Sequence, residues 1–161
     1  MRPITLAKTA SAVIATGVVG GLASRGSQTA WYQSLRKPSF QPPPAAFPIA
    51  WNLLYADIAS TSAHTIDKFQ EQNRDDKARA YSVALAANLI LNASWSWIFF
   101  NRGKLGTAAI AAGALAASSA DLTRRAVDAQ GARGAILAPY PLWCTFATVL
   151  STRIWMLNRK R

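Results

Sequence analysis

A chain of 161 residues would ordinarily be one soluble domain, but 51% of this one is apolar and only 16% charged, against roughly 25% in soluble proteins. Lys and Arg outnumber Asp and Glu 18 to 7, for a net charge of +11, yet the basic residues form no stripe along one helix. They gather at the ends of apolar runs, as at Arg36-Lys37, Arg124-Arg125 and Arg159 to Arg161, which argues against a nucleic-acid partner and for lipid head groups, while a single cysteine, Cys144, excludes an intrachain disulfide and a cysteine-based metal cluster.

The stretches between the charged groups approach the ~20 residues that a membrane-spanning helix needs. Ile4 to Ala23 is apolar but for Lys8, which lies near one end and can snorkel; the run is too long for a signal-peptide core and is read as helix one, 4–23. Residues 24–44 are polar, aromatic and proline-rich, from Ser24-Arg25-Gly26 through Trp31-Tyr32 to Pro42-Pro43-Pro44. The prolines exclude a continuous helix, and the rings are costly to leave in water, so this segment is expected to fold over the helices as a lid.

Helix two, 45–65, tolerates Pro48 in its first turn and puts Phe47, Trp51 and Tyr55 on one face. The charge-dense stretch Asp67 to Arg79 is expected to be a solvated loop. Helix three, 80–100, stacks Asn88, Asn92, Trp95 and Phe99 on one side, and the short turn at Asn101 to Lys104 returns the chain antiparallel. Helix four, 105–122, is rich in Ala, Gly and Ser, a composition that lets backbones approach closely. Helix five, 135–157, carries Pro139 and Pro141 near its start and then Trp143, Ala147 and Leu150. The fold class is therefore an all-α integral membrane bundle of five transmembrane helices forming one domain, 1–161. Loop Lys and Arg divide evenly between the two sides, so the positive-inside rule leaves the orientation open.

Few residues offer catalytic chemistry. His64 is the only histidine, which excludes a bis-histidine haem but leaves a single axial ligand open; at a span end it reads more simply as an interfacial polar residue. Asp57 lies deeper, where a carboxylate needs a partner, a proton or a cavity; a site role and an interhelical bond or ion pair are equally compatible with its position. Asp121 and Arg124, at i and i+3, read as an intrahelical pair at a helix end. No metal-ligand constellation is present in the sequence. The collective signal is aromatic: six tryptophans, with Phe47, Trp51, Tyr55, Asn92, Trp95, Phe99 and Trp143 on inward faces, suit a flat aromatic ligand as well as they suit plain bundle filling.

The ordered set Trp31-Tyr32-x2-Leu35-x-Lys37-Pro38-x-Phe40-x-Pro42-Pro43-x3-Phe47, then Leu91-Asn92-x2-Trp95-Ser96-x2-Phe99-Phe100, then Pro139-Tyr140-x-Leu142-Trp143-x2-Phe146-Ala147-x2-Leu150, resembles the TspO/MBR family. These are the tryptophan-rich sensory and translocator (peripheral benzodiazepine receptor) proteins, and the match covers most of residues 31–158. The resemblance implies a five-helix bundle, often a homodimer, in a bacterial cell membrane or a mitochondrial outer membrane. It also implies a receptor, transport or regulatory protein that binds porphyrins such as protoporphyrin IX or haem, and benzodiazepine-type drugs, with no resident cofactor. Carried over by position, Trp51, Asn92 and Trp143 contact the ligand, Phe47, Tyr55, Trp95, Phe146 and Ala147 line its pocket, and Trp31 and Tyr32 lie in the lid. A light-dependent porphyrin breakdown attributed to some members would use Tyr32, Trp51 and Trp143; proton-coupled transport through Asp57 is a further alternative. Two departures stand out. Ser151 follows Leu150 where the family commonly has Asn, and Ser151-Thr152-Arg153 replaces the tyrosine of the sterol motif of animal members, which weakens the case for a sterol partner.

Overall fold

The structure is a computed structural model that describes residues 2–160, apart from the side chains of Gln28 and Asn101. Six α-helices and no strand are found among the described residues: α1 (Pro3–Ser24), α2 (Ala30–Ser34), α3 (Ala46–Glu71), α4 (Asp75–Ser96), α5 (Leu105–Gln130) and α6 (Pro139–Asn158). Five of these are long. The shortest of the five, α6, has 20 residues and extends about 30 Å at 1.5 Å per residue, the thickness of a bilayer core. The additional helix, α2, is a five-residue turn within the expected lid. Thr29 caps it, its hydroxyl accepting from the Tyr32 N–H, which a sequence without helical periodicity does not advertise.

The membrane character is written inside out. Ile4, Ile49, Leu53, Val83, Ile90, Ile110 and Leu142 are all more than 60% exposed, whereas Thr61, Ser62, Thr65, Asn88, Asn92, Ser119 and Ser151 are buried. Water would reverse that arrangement; a hydrocarbon solvent favours it, because polar groups then find partners only inside the bundle. Residues 3–27, 75–100 and 105–137 are long and apolar enough to cross a bilayer by composition alone. Helices α3 and α6 are not, because they carry the polar and aromatic residues of the interior, among them Tyr55, Thr61, Ser62, Thr65, Tyr140 and Ser151.

Several expected boundaries move. The charge-dense stretch is not a loop: Asp67 to Glu71 completes α3, Asp75 to Arg79 begins α4, and only Gln72 to Arg74 turns. Asn73 takes the left-handed conformation at φ 58°, and the Arg74 N–H reaches the Phe69 carbonyl at 2.8 Å while the Asn73 N–H reaches that of Gln70, a Schellman closure with Asn in the glycine position. Asp75 and Asp76 then sit in the first turn of α4, where the helix dipole favours anions. Helix α5 runs to Gln130, beyond the expected 122. Asp121 is therefore mid-helix, where it accepts from Arg124 and also from Arg125, each at 2.8 Å. Residues Gly131–Leu137 form a 3₁₀ segment, so α6 begins at Pro139. Helix α4 ends in a π-helical turn, Trp97–Asn101.

Helix α5 packs extensively on α6 and also touches α4 and α3, while α1 lies against α3 and α4. The small residues account for the closeness: a Cβ on Gly106 would stand 3.1 Å from the Trp155 indole nitrogen, and Gly113 faces Thr148. Helices α3 and α6 behave differently. Their backbones scarcely approach one another, and side chains fill the space between them.

Candidate ligand site between α3 and α6

The filling of that space is aromatic. Trp51 from α3 meets Trp143 from α6 edge to face at 6.4 Å, Phe47 meets Trp143 at 5.9 Å, and Trp51 meets Tyr140 at 6.4 Å. Tyr55, one turn beyond Trp51, lies 5.6 Å from it, and Phe146 lies 5.4 Å from Trp143. The i, i+4 spacing of Phe47, Trp51 and Tyr55 on α3 and the i, i+3 spacing of Trp143 and Phe146 on α6 turn each set toward the other helix. Ala147, half-buried one turn after Trp143, adds little bulk there.

A polar chain runs beneath these rings. The Tyr55 hydroxyl donates to Asn92 Oδ1 at 3.3 Å, Asn92 Nδ2 donates to the Tyr140 hydroxyl at 3.0 Å, Tyr140 donates to Asn88 Oδ1 at 2.7 Å, and Asn88 Nδ2 donates to the Ser118 hydroxyl at 3.1 Å. Four long helices are thereby linked through groups that a hydrocarbon interior could not otherwise satisfy. Tyr140, Asn88 and Ser118 are the members that the sequence reading did not assign to the site, and the first two are fully buried. The available signal was spacing: Tyr140 precedes Trp143 by three residues and Asn88 precedes Asn92 by four, so each shares a face with an assigned residue.

The remaining assigned residues form a second layer. Trp95 packs with Phe99 at 5.6 Å and Phe100 at 6.3 Å, and Tyr32 from the lid covers the same pair at 6.1 and 5.4 Å. Tyr32 is thus grouped with Trp95, and of the three residues considered for photochemistry only Trp51 and Trp143 touch. Burial of the Tyr32 ring pushes its phenol above the ordinary value, so it stays protonated. Trp95 Nε1 is buried and has no hydrogen-bond acceptor. Trp31 turns to the outside of the lid and lies against Gly103 in the α4–α5 turn.

The lid is fastened at both ends. Asn158 at the end of α6 accepts from the Arg36 N–H at 3.0 Å and donates to the Arg36 carbonyl at 2.9 Å, and Leu35 is buried beside Phe99, Leu150 and Ile154. At the other end Gly26 lies so close to the Phe100 carbonyl that a Cβ would come within 2.8 Å of its oxygen. Lys37 donates to the Tyr32 carbonyl at 2.9 Å and lies 4.5 Å above the Tyr32 ring.

Asp57 accepts from Thr61, one turn along its own helix, at 2.7 Å; the partner is intrahelical, not a neighbouring helix or a cation. His64 is exposed and Cys144 is buried and free. Among the described residues no group of three or more His, Cys, Asp and Glu is placed to hold a metal ion.

Comparison with known proteins agrees with the aromatic motifs. The sequence pattern of the TspO/MBR family matches residues 9–156. Protein CrtK of Rhodobacter capsulatus is 31% identical over 142 residues, covering 88% of this chain and 85% of its own. The translocator protein of Bos taurus is 30% identical, covering 90% and 85%, and the tryptophan-rich sensory protein of Cereibacter sphaeroides is 29% identical, covering 81% and 78%. An all-α membrane bundle with this motif order, matched over most of its length, belongs to the TspO/MBR family of multi-pass membrane proteins.

Proposed function

We propose that this protein is a five-span membrane receptor that takes a porphyrin-type ligand, protoporphyrin IX or haem, between α3 and α6. The carrying observation is the sparse backbone contact between those two helices, with Phe47 and Trp51 of one meeting Tyr140 and Trp143 of the other ring to ring. Rings that meet edge to face can rotate to stack on a flat macrocycle at modest cost, since aromatic pair geometry contributes only about 0.5–1.5 kcal/mol beyond area burial. The buried Trp95 N–H is a donor in want of an acceptor, and a ligand carboxylate or carbonyl under the lid would supply one. Asn92 and Tyr55 stand ready to exchange a long 3.3 Å bond for one to the ligand edge. Homodimerisation and the lipid membrane as the surrounding partner accompany this reading.

The test is spectrophotometric titration of the detergent-solubilised protein with protoporphyrin IX, following the Soret shift. Wild type is compared with the Trp51→Phe, Trp143→Phe double variant. Saturable micromolar binding that weakens at least tenfold in the variant, with helicity unchanged by circular dichroism, is the expected result. Equal affinity would mean that the rings between α3 and α6 are packing alone.

A further inference from the structure

A groove of about 420 Å³ opens on the opposite flank of the molecule, between α1, α3 and α4, away from the rings of the candidate site. Its walls are graded. Arg2, Lys8 and Gln70 stand at the end where α1 begins and α3 finishes, and Ala12, Leu85, Ala86 and Leu89 line the part that runs toward the membrane interior. The hydroxyls along it are already used: Thr5 donates to Asp67, Thr9 to the Ala59 carbonyl and Ser82 to the Ala78 carbonyl. Of the acids at that end, Asp67 is matched by Arg2 at 3.2 Å and Glu71 by Lys68 at 3.4 Å, while Asp75 and Asp76 sit in the first turn of α4 and do not line the groove. Lys8 is exposed and has no carboxylate partner among the described residues, so it carries the uncompensated charge of the groove.

We propose that this groove holds an anionic phospholipid, its phosphate at Lys8 and one acyl chain laid along Ala12, Leu85 and Leu89. The occupant follows from charge complementarity and depth. A cationic rim at head-group level above an apolar channel is the arrangement by which basic pockets between membrane helices take anionic head groups. A zwitterionic lipid would fill the channel but leave Lys8 facing a neutralised head group. A water-soluble anion would meet the rim but leave the apolar floor unfilled.

Native mass spectrometry of the detergent-purified protein tests this. Phosphatidylglycerol and phosphatidylcholine of identical acyl chains are titrated against wild type, Lys8→Gln and Ala86→Trp, with circular dichroism as the fold control. Wild type should prefer phosphatidylglycerol by about fivefold, the scale of one basic residue at an anionic surface. Lys8→Gln, a change at an exposed position, should abolish that preference, and Ala86→Trp should weaken both lipids by filling the channel. Millimolar inorganic phosphate should leave the bound lipid in place. Equal binding of the two lipids by wild type, a preference that survives in Lys8→Gln, displacement by phosphate, or a dimer that carries no lipid and falls to monomer in Ala86→Trp would each overturn the proposal.

Discussion

Asn92 on α4 donates its amide N–H to the Tyr140 hydroxyl of α6 at 3.0 Å, and the Tyr140 O–H donates in turn to Asn88 Oδ1 at 2.7 Å, one turn back on α4. A single phenol thus serves two amides, whose other ends are met by the Tyr55 and Ser118 hydroxyls. Tyr140→Phe keeps the ring against Trp51 but leaves Asn88 Oδ1 without its donor and Asn92 Nδ2 without its acceptor. The expected loss is about 1–3 kcal/mol, the desolvation penalty of buried groups left unsatisfied. Thermal unfolding in detergent checks it, and a melting temperature equal to that of wild type would show that the relay is not needed for stability.

Two glycines separate close approach from mere flexibility. A Cβ on Gly134 would collide with the backbone of Ala126 and Val127 in α5, which cannot move without breaking that helix. A Cβ on Gly21, in the last turns of α1, would meet no atom of another segment within 4 Å. Gly134→Ala should therefore destabilise by at least 1–3 kcal/mol, as for overpacking of a core, whereas Gly21→Ala should stabilise by up to about 1 kcal/mol through helix propensity. Paired thermal melts decide the matter by sign.

Much of this arrangement was legible in the sequence, for a physical reason. The runs 4–23, 80–100 and 105–122 announce helices because hydrocarbon must be met with side chains that have no charge, and the same requirement concentrates polar residues on inward faces. Phe47, Trp51 and Tyr55, and separately Trp143 with Ala147, were visible as face-sharing sets from helical spacing alone, whereas Phe146 entered through the family resemblance. What was hidden depends on contacts between segments far apart in the chain. The stretch Asp67 to Arg79 reads as a loop by charge, yet Arg74 and Lys77 both reach Asp128 on α5 at 2.8 Å, and Asn73 supplies a left-handed closure, so the charges decorate helix ends. The role of Tyr140 was hidden likewise, because its two partners lie about fifty residues away. Asp57 misled in the opposite direction: a carboxylate within a span suggests a distant partner, and Thr61, four residues on, supplies a local one.

Asp67 predicts a dependence on pH. Burial works to raise its pKa, but the Thr5 hydroxyl at 2.7 Å, the Arg2 N–H at 2.6 Å and the Arg2 guanidinium overcome that and hold the carboxyl below the ordinary range. A carboxyl depressed in the folded state binds its proton more readily when unfolded. Its contribution is therefore present above the unfolded value of about 3.9 and is lost as pH falls through the lower folded value. Wild type should exceed Asp67→Asn in melting temperature at pH 7, and the gap should narrow below about pH 4. A gap that is constant from pH 7 to pH 3 would assign the difference to packing.

Asn158 ties the lid to the end of α6 with two hydrogen bonds to the Arg36 backbone, at 3.0 and 2.9 Å, while its amide also reaches the Ile154 carbonyl at 2.7 Å. Asn158→Ala removes both ties and leaves the apolar contacts of Leu35 and of Phe40 with Phe146 to hold that part of the lid. Loss of two backbone bonds, each contributing about 0.5–1.5 kcal/mol net, should raise the population of the undocked lid by roughly one to two orders of magnitude with the helices intact. Trypsin reads this directly. Docking of the Arg36 backbone should protect the Arg36-Lys37 bond in wild type, and that bond should be cleaved at least tenfold faster in Asn158→Ala, whereas Arg25-Gly26, held against Phe100 at the far end of the lid, should be cut at an unchanged rate. If the lid governs access to the space between α3 and α6, the same variant should also bind and release protoporphyrin IX faster with little change in affinity. Unchanged exchange rates alongside faster cleavage would mean that the ligand reaches its site from the bilayer side.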